Sequence, residues 1–174
     1  VNTGLVTFRE KMGFSVANLS EDKVRNTWKA HAKIEAMLLL RESIQNGDDN
    51  WEADIMAALY KLSKVETGTK VEYDTWVLRN DEFHNALISS SKLDGLLQVR
   101  NELKVVINWY HRLSNKYGQE IIANHDEHAK LAQLVLSRKD LACTYLYNHL
   151  IEGMDSIIEE LKHYGLIKNS SYYK

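Results

Sequence analysis

The sequence predicts an all-α protein, an antiparallel helical bundle of about six to seven helices with a short N-terminal β-hairpin, and three observations favour this class. The 174 residues include no proline, so no residue interrupts a helix by removing a backbone N–H. From residue 19 onward, apolar residues recur at helical spacing. With 44% apolar residues the chain is long enough to bury one core, which predicts one main domain.

Residues 4–18, GLVTFREKMGFSVAN, differ from the rest of the chain. The short runs LVTFR and FSVA favour strands, and a polar turn that includes Gly13 separates them. This pattern predicts a two-stranded hairpin. Because such a small hairpin is marginally stable alone, it is either the edge of a missing unit or an appendage on the helical body.

Three helices are predicted in the first half of the chain. The first, about residues 21–45, begins after Ser20, whose hydroxyl is a good N-cap, and ends before Gly47. The second covers about residues 50–64, and the GTK turn separates it from the third, about residues 73–89. The predicted core residues of the first helix are Val24, Trp28, Ile34, Met37, Leu38 and Ile44.

Three more helices complete the predicted bundle. Ser91 caps the fourth helix, whose apolar stripe is interrupted by Arg100. After Gly118, a fifth helix covers about residues 119–137 and a sixth about residues 139–164. The stripe of the fourth helix consists of Leu93, Leu96, Leu97, Leu103, Val106 and Ile107.

Composition limits the class of protein. The 22 basic and 24 acidic residues are spread along the chain, so no basic patch indicates binding of nucleic acid or of an anionic membrane by this chain alone. The single cysteine, Cys143, excludes an internal disulfide and agrees with a reducing cytoplasm. The apolar runs are shorter than the roughly 20 residues that cross a bilayer. We therefore expect a cytoplasmic protein without a signal peptide.

Three of the seven histidines lie on apolar faces of three different helices. In NDEFHNAL, residues 80–87, helical spacing places Asn80 and His84 on the apolar face of the third helix. His128 and His149 also share their helix faces with apolar residues. These neighbours are Leu131, Ala132 and Val135 for His128, and Ala142, Tyr145 and Leu146 for His149.

An inward histidine, taken alone, is more often a hydrogen-bonded core residue than a metal ligand. Three of them on three helices favour a common site, because neutral imidazole is a preferred ligand of zinc and nickel, and helical bundles build metal sites from inward side chains. Three ligands leave coordination positions open for water or for a carboxylate. No local motif such as HExxH fixes the geometry, so structural histidines are the alternative.

The other four histidines give weaker signals. His125, in NHDEH, is expected to be partly exposed near a helix start. His163 lies near the end of the last helix, where a cation is favourable. The sequence does not decide whether His111 lines the same cavity or lies on the surface, and His31 faces inward or outward with equal support.

From about residue 19 to residue 164, the chain resembles the effector-binding C-terminal domain, the FCD domain, of FadR-type GntR transcriptional regulators. Four features carry the resemblance: NDEFHNAL with Asn80 and His84, EHAKL with His128, ACTYLYNHL with His149, and an opening LS followed by a helix that contains His31 and Glu35. Each motif is short. Their order and separations together make the resemblance specific.

The resemblance implies a divalent metal, zinc or nickel, surrounded by Asn80, His84, His128 and His149. It also implies a small carboxylate effector held at that metal and a homodimer that carries winged helix-turn-helix heads. Residues 1–18 then correspond to the remnant of a wing and its linker, and residues 19–174 to the effector-binding domain. DNA would be contacted through an N-terminal domain that precedes residue 1, and no membrane is involved.

Two departures from the family pattern affect the site. Asn80 stands where the family commonly has aspartate, which is expected to weaken metal binding and to increase attraction for an anion. His31 stands where the family usually has an arginine that clamps a carboxylate, and histidine is only partly protonated near neutral pH. The candidate effector-binding residues are therefore His31, Lys33, Arg100, Tyr110 and Arg112.

Three functions fit these features. The first is a ligand-sensing domain of a transcriptional regulator, which is not an enzyme. The second is a metal-dependent hydrolase or lyase on the same histidines, but Asp81, Asp126 and Glu127 are expected to point to other faces of their helices and to serve poorly as bases. The third is a helical interaction module with structural histidines.

Overall fold

The computed structural model describes residues 6–9, 13–16, 19–68, 72–115 and 125–167. These residues form a helical bundle preceded by a β-hairpin, so the predicted fold class is confirmed. The helical segments are α1 (Glu21–Ala32), a π-helical segment (Lys33–Leu40), α2 (Arg41–Asn46), α3 (Asp49–Glu66), α4 (Tyr73–Ile88), α5 (Asp94–Asn115), α6 (His125–Leu136) and α7 (Leu141–His163). Because α1, the π-helical segment and α2 are continuous, the described residues contain six helices.

The hairpin consists of two antiparallel strands, β1 (Val6–Arg9) and β2 (Gly13–Val16). Val6 pairs with Val16, and Arg9 pairs with Gly13. This agrees with the hairpin predicted from LVTFR and FSVA.

The first long helix begins as predicted but changes its winding in the middle. The Ser20 hydroxyl accepts a hydrogen bond from the Lys23 amide at 3.3 Å, which is an N-cap contact. The π-helical segment was not predicted. Because a π turn contains more residues than an α turn, it shifts side chains away from the positions that a 3.6-residue repeat assigns. The prediction of Leu38 as a core residue is wrong for this reason: the side chain is 45% exposed.

The turn between α2 and α3 depends on a glycine and a tryptophan. The Asp48 carboxylate caps α3 by accepting from the Trp51 amide at 2.9 Å. The Trp51 indole N–H donates to the Ala86 carbonyl at 2.9 Å and so joins α3 to α4. A Cβ atom at Gly47 would overlap the Trp51 ring. The ring therefore requires glycine at this position.

One helix start differs from the sequence prediction, and another falls outside the described residues. Residues 116–124, which include the predicted start of the fifth helix, lie outside the described residues. The fourth helix, α5, begins at Asp94 rather than directly after Ser91. The Ser91 hydroxyl instead donates to the Glu42 carboxylate at 2.6 Å, which ties the start of α5 to α2. Leu93 consequently precedes the helix and is 36% exposed.

The buried apolar side chains form two clusters. The larger cluster joins the π-helical segment, α3, α4, α6 and the start of α7. The smaller cluster joins α1, α5 and the second half of α7. Within the described ranges, no helix has both the length and the apolar character that crossing a membrane requires.

We expect Gly47→Ala to lower the free energy of unfolding by about 1–3 kcal/mol, because the new methyl group would displace the Trp51 ring. The backbone at Gly47, with φ of −65°, suits any residue, so the loss would come from the overlap alone. Urea unfolding measures the change. Gly95→Ala is the matched control, since a Cβ there meets no atom within 4 Å. Equal stability of the two variants would contradict the prediction.

Candidate metal centre and effector cavity

Three histidines from three helices converge in the interior of the bundle. His84 lies on α4, His128 on α6 and His149 on α7. One ring nitrogen from each lies within 4.8 Å of the other two. His84 and His128 are each 1% exposed. The structure thus brings together the three histidines that the sequence predicted as ligands.

Each of these imidazoles faces a carboxylate through its Nδ1 atom. His84 Nδ1 lies 2.7 Å from Glu35 and His149 Nδ1 lies 2.8 Å from Glu127, both in hydrogen bonds. His128 Nδ1 lies 2.9 Å from Glu66, close but without hydrogen-bond alignment. A carboxylate at Nδ1 favours the tautomer with the proton on that atom and a lone pair on Nε2. The three Nε2 atoms are therefore the nitrogens available to a metal.

The donor set fits a divalent transition metal. His128 Nε2 is buried and has no hydrogen-bond partner among the described residues, which is costly unless another group satisfies it. Three nitrogens at about 2.1 Å from one zinc ion lie about 3.4–3.6 Å apart, so side-chain shifts on the order of 1 Å would bring the present spacing, which is within 4.8 Å, to ligation. An imidazole set of this kind suits zinc or nickel.

Burial favours the neutral form of His84 and His149, which is the form that binds metal. Burial lowers the pKa of His84 to about 3, although the hydrogen bond to Glu35 opposes the shift. Burial, and after it the neighbouring His128, lowers the pKa of His149. Neutral histidines need not lose a proton before they bind a metal near neutral pH.

Glu35, in the π-helical segment, is the hub of a buried polar network. Its carboxylate accepts from Arg100 Nε at 2.6 Å and from His84 Nδ1 at 2.7 Å, and it lies 3.2 Å from His31 Nε2. Burial alone would raise the pKa of Glu35, but the Arg100 guanidinium and His31 hold it well below its usual range. Arg100 also donates to Asn85 at 2.7 Å. The network fixes His84 from behind.

A cavity of about 280 Å³ opens beside the three histidines, and we call it the effector cavity. Asn80, one helical turn before His84, lines it, as the sequence predicted for a site residue. His31 and His111, whose positions the sequence left open, both line this cavity. Its other lining residues include Trp28, Tyr73, Trp76, Lys104, Ile107, Asn115, Leu150, Glu152, Gly153, Ser156 and Ile157.

Comparison with known proteins identifies the family. The family pattern of the FCD domain matches residues 17–152. The chain belongs to the FCD-domain family. This confirms the predicted resemblance to the FCD domain of GntR-type regulators.

Two curated relatives and one solved structure resemble this FCD domain. The HTH-type transcriptional repressor GlaR of Escherichia coli K12 is 34% identical over 142 residues, which cover 77% of this chain and 63% of GlaR. The HTH-type transcriptional regulator BphR of Paraburkholderia xenovorans LB400 is 28% identical over 172 residues, 97% of this chain and 69% of BphR. A GntR-family regulator from Pseudomonas syringae pv. tomato DC3000 has a TM-score of 0.69 at 19% identity, covering 91% of this chain and 66% of that regulator.

The candidate effector residues of this FCD domain are divided by the fold. His31 lines the effector cavity, and Arg100 lies behind it, bound to Glu35. Lys33 is exposed and lies outside the cavity. Tyr110 lies outside it as well, because its side chain is fully buried in the smaller core cluster. Arg112 is exposed at a separate pocket beside Glu72 and Asp74.

Sequence reasoning missed the carboxylates that support the histidines. Glu127 was expected to point away from the site, but it accepts from His149 because α6 and α7 pack side by side. Its position next to His128 in EHAKL was the available signal. Glu66, at the end of α3, contacts His128 and accepts from the Trp76 indole at 3.2 Å, and no local pattern marked it. Asp81 does point elsewhere, to Lys104 at 2.8 Å.

We expect Arg100→Met to destabilise this FCD domain by about 3–5 kcal/mol, because it leaves the buried Glu35 carboxylate without its cation. Chemical denaturation measures the loss. Arg79→Met is the matched control, since Arg79 pairs with Glu82 at the surface and both side chains are about a third exposed. Similar losses of unfolding free energy in the two variants would show that the buried Glu35–Arg100 pair stabilises the fold no more than a surface pair does.

Stability should also depend on pH through His84. Its pKa is about 3 in the folded protein, below the ordinary 6.5, so the unfolded chain takes up the proton first as the pH falls. The contribution of neutral His84 to the free energy of unfolding is fully present above about pH 6.5 and is lost progressively as the pH falls toward about 3. For the chelated protein, we expect His84 alone to lower the free energy of unfolding by about 1.4 kcal/mol between about pH 7.5 and about pH 5.5.

Urea unfolding in EDTA at the two pH values tests this expectation. His84→Gln should remove that part of the pH dependence. His163→Gln, which changes an exposed histidine, should retain it. An unchanged pH dependence in His84→Gln would contradict the assignment to His84.

Proposed function

We propose that this FCD domain is the ligand-sensing domain of a transcriptional regulator and that it binds a divalent metal and a small organic acid. His84, His128 and His149 hold the metal, with Asn80 as a fourth ligand. One observation carries the proposal: three histidines, each with a glutamate at Nδ1, converge at the wall of a cavity that fits a small molecule.

The chemistry of the donors supports zinc or nickel as the metal. Three neutral imidazoles and one amide provide nitrogen and oxygen ligands and carry no charge, so a bound divalent ion would leave the site positive. Such an ion supplies open coordination positions for a carboxylate oxygen. The role of the surrounding residues is to fix the imidazole rings, through Glu35, Glu66 and Glu127, and to shape the space for the acid.

Sensing is better supported than catalysis. Glu35, Glu66 and Glu127 are committed to imidazole Nδ1 atoms, and a general base must be able to reach the substrate. Among the described residues, Glu152 is the carboxylate that lines the cavity, from an exposed position on α7. GlaR is named a transcriptional repressor, which agrees with regulation. A metal-dependent hydrolase or lyase on the same histidines is the alternative.

The proposal extends to the protein in which this domain functions. Residues 1–18 are the wing and linker of a winged helix-turn-helix head, and residues 19–174 are the effector-binding domain. The antiparallel pairing of β1 and β2 is compatible with a wing. A homodimer is supported by exposed apolar side chains on the first long helix and on α5, namely Leu38, Val99 and Val105. Effector binding changes how paired heads meet DNA.

We expect the purified protein to contain about one divalent ion per chain and to lose it on chelation. The triple variant His84→Ala, His128→Ala, His149→Ala should contain none, as measured by elemental analysis. The double variant His125→Ala, His163→Ala is the matched control, because it removes two histidines that are not in the cluster. Circular dichroism should establish that every variant is helical.

The absence of metal after incubation with zinc and with nickel would overturn the metal centre. The convergent histidines would then be structural, and sensing would need another anchor for the acid. Metal that persists in the triple variant would place the site elsewhere. Metal binding that raises the melting temperature, followed by a further rise with small carboxylates, would support both parts of the proposal.

A further inference from the structure

The size of the effector cavity limits the ligand. Its volume of about 280 Å³ is just below the roughly 300–1,000 Å³ that small-molecule sites span. A long acyl chain is therefore excluded from this space. Small acids of about the size of one ring or one short chain fit it.

The charges around the cavity are already paired. Lys104 is the one lysine or arginine among the described lining residues, and its ammonium lies 2.8 Å from the Asp81 carboxylate. The same carboxylate also accepts from the Asn108 side chain at 3.2 Å, so the lysine faces an acid that is held in place. Behind the cavity, Arg100 is neutralised by Glu35 at 2.6 Å.

The remaining charge at the cavity is negative. Glu152 lines it from α7. Apart from a metal at the three histidines, the described lining residues thus offer no unpaired cation to a ligand. One carboxylate of an acid has a partner at the metal, whereas a second carboxylate would be desolvated beside Glu152 without a partner of its own.

The walls of the cavity are flat and largely apolar. Trp28, Tyr73 and Trp76 contribute aromatic rings, and Ile107, Leu150 and Ile157 contribute aliphatic surface. The Trp28 ring packs against His111 with a centroid distance of 5.2 Å, so the two rings form a joint surface. Aromatic walls favour a flat apolar body in the ligand. The many hydroxyl groups of a sugar acid would lose their water against such walls.

Several polar atoms at the cavity also have no hydrogen-bond partner among the described residues. They are Trp28 Nε1, the Tyr73 hydroxyl and His31 Nδ1, whereas His31 Nε2 faces Glu35 at 3.2 Å. Trp28 is 3% exposed and His31 is 1% exposed. Such buried groups are costly when unpaired. They indicate that ligand oxygens complete them, and the Trp28 indole N–H, which only donates, can donate to a neutral oxygen.

From this arrangement we infer that the effector is a monocarboxylate with an aromatic or similarly flat apolar body, whose remaining oxygens are neutral. Dicarboxylates and sugar acids are weaker ligands. The inference rests on the proposed function, because the carboxylate is assigned to the metal. Paired Lys104 and the acid Glu152 select against a second charge, and the rings of Trp28, Tyr73 and Trp76 select for a flat body.

Calorimetric titration of the zinc-loaded protein tests the inference. The probes are benzoate and the three hydroxybenzoates, against isophthalate, glutarate and gluconate. Isophthalate has the benzoate ring with a second carboxylate, so it isolates the effect of charge. Among benzoate and the three hydroxybenzoates, we expect the tightest ligand to have at least about tenfold higher affinity than isophthalate, glutarate or gluconate.

A substitution at Asp81 tests the role of charge pairing directly. Asp81→Asn frees Lys104 from its partner, and the amide can still bond to Asn108, which now donates to Asp81 at 3.2 Å. We expect the affinity for isophthalate to rise about tenfold while that for the hydroxybenzoates changes little. Glu82→Gln is the matched control, since Glu82 pairs with Arg79 outside the cavity. This substitution should leave the affinity for isophthalate relative to the hydroxybenzoates unchanged.

The outcomes separate this inference from the proposed function. Glutarate, isophthalate or gluconate binding as tightly as the benzoate group, or tighter, would overturn the inference and leave a metal-dependent acid sensor in place. If Asp81→Asn leaves the affinity for isophthalate relative to the hydroxybenzoates unchanged, the charge argument is overturned. Failure of every acid to bind the zinc-loaded protein would overturn both the inference and the proposed effector class.

Discussion

The buried carboxylate of Glu35 is the constraint on which the interior of this bundle depends. It takes hydrogen bonds from Arg100 on α5 and from His84 on α4, and it approaches His31 on α1. A carboxylate without exposure to water is stable only when such partners surround it. One carboxylate therefore joins the first long helix to α5 through an ion pair and to α4 through a hydrogen bond that also orients a candidate metal ligand.

The other two histidines of the candidate metal centre also face a glutamate. Glu66 from α3 and Glu127 from α6 face His128 and His149 through Nδ1. The glutamates thereby orient three imidazoles whose ligand atoms lie within 4.8 Å of one another. Such preorganisation reduces the ordering cost of binding. It also explains why the bundle has several polar groups in its interior, although apolar side chains there would carry no desolvation cost.

Much of the fold and part of the site could be predicted from the sequence. Helical periodicity located the helices and the inward faces of His84, His128 and His149, because apolar spacing reports which face is buried. It failed at Leu38, since the π turn changes the angular step. The supporting glutamates were missed because their partners lie on other helices. Glu35 and His84 are 49 residues apart.

By itself, the sequence determined the helical class, the hairpin and the inward positions of His84, His128 and His149. These properties depend on local spacing, which the chain carries in its order of residues. Only the tertiary structure decided which nitrogen of each imidazole is available, that Lys104 is neutralised by Asp81, and that Lys33 and Arg112 lie away from the cavity. Charge pairing and cavity walls arise from contacts between helices, and their geometry depends on how the helices pack.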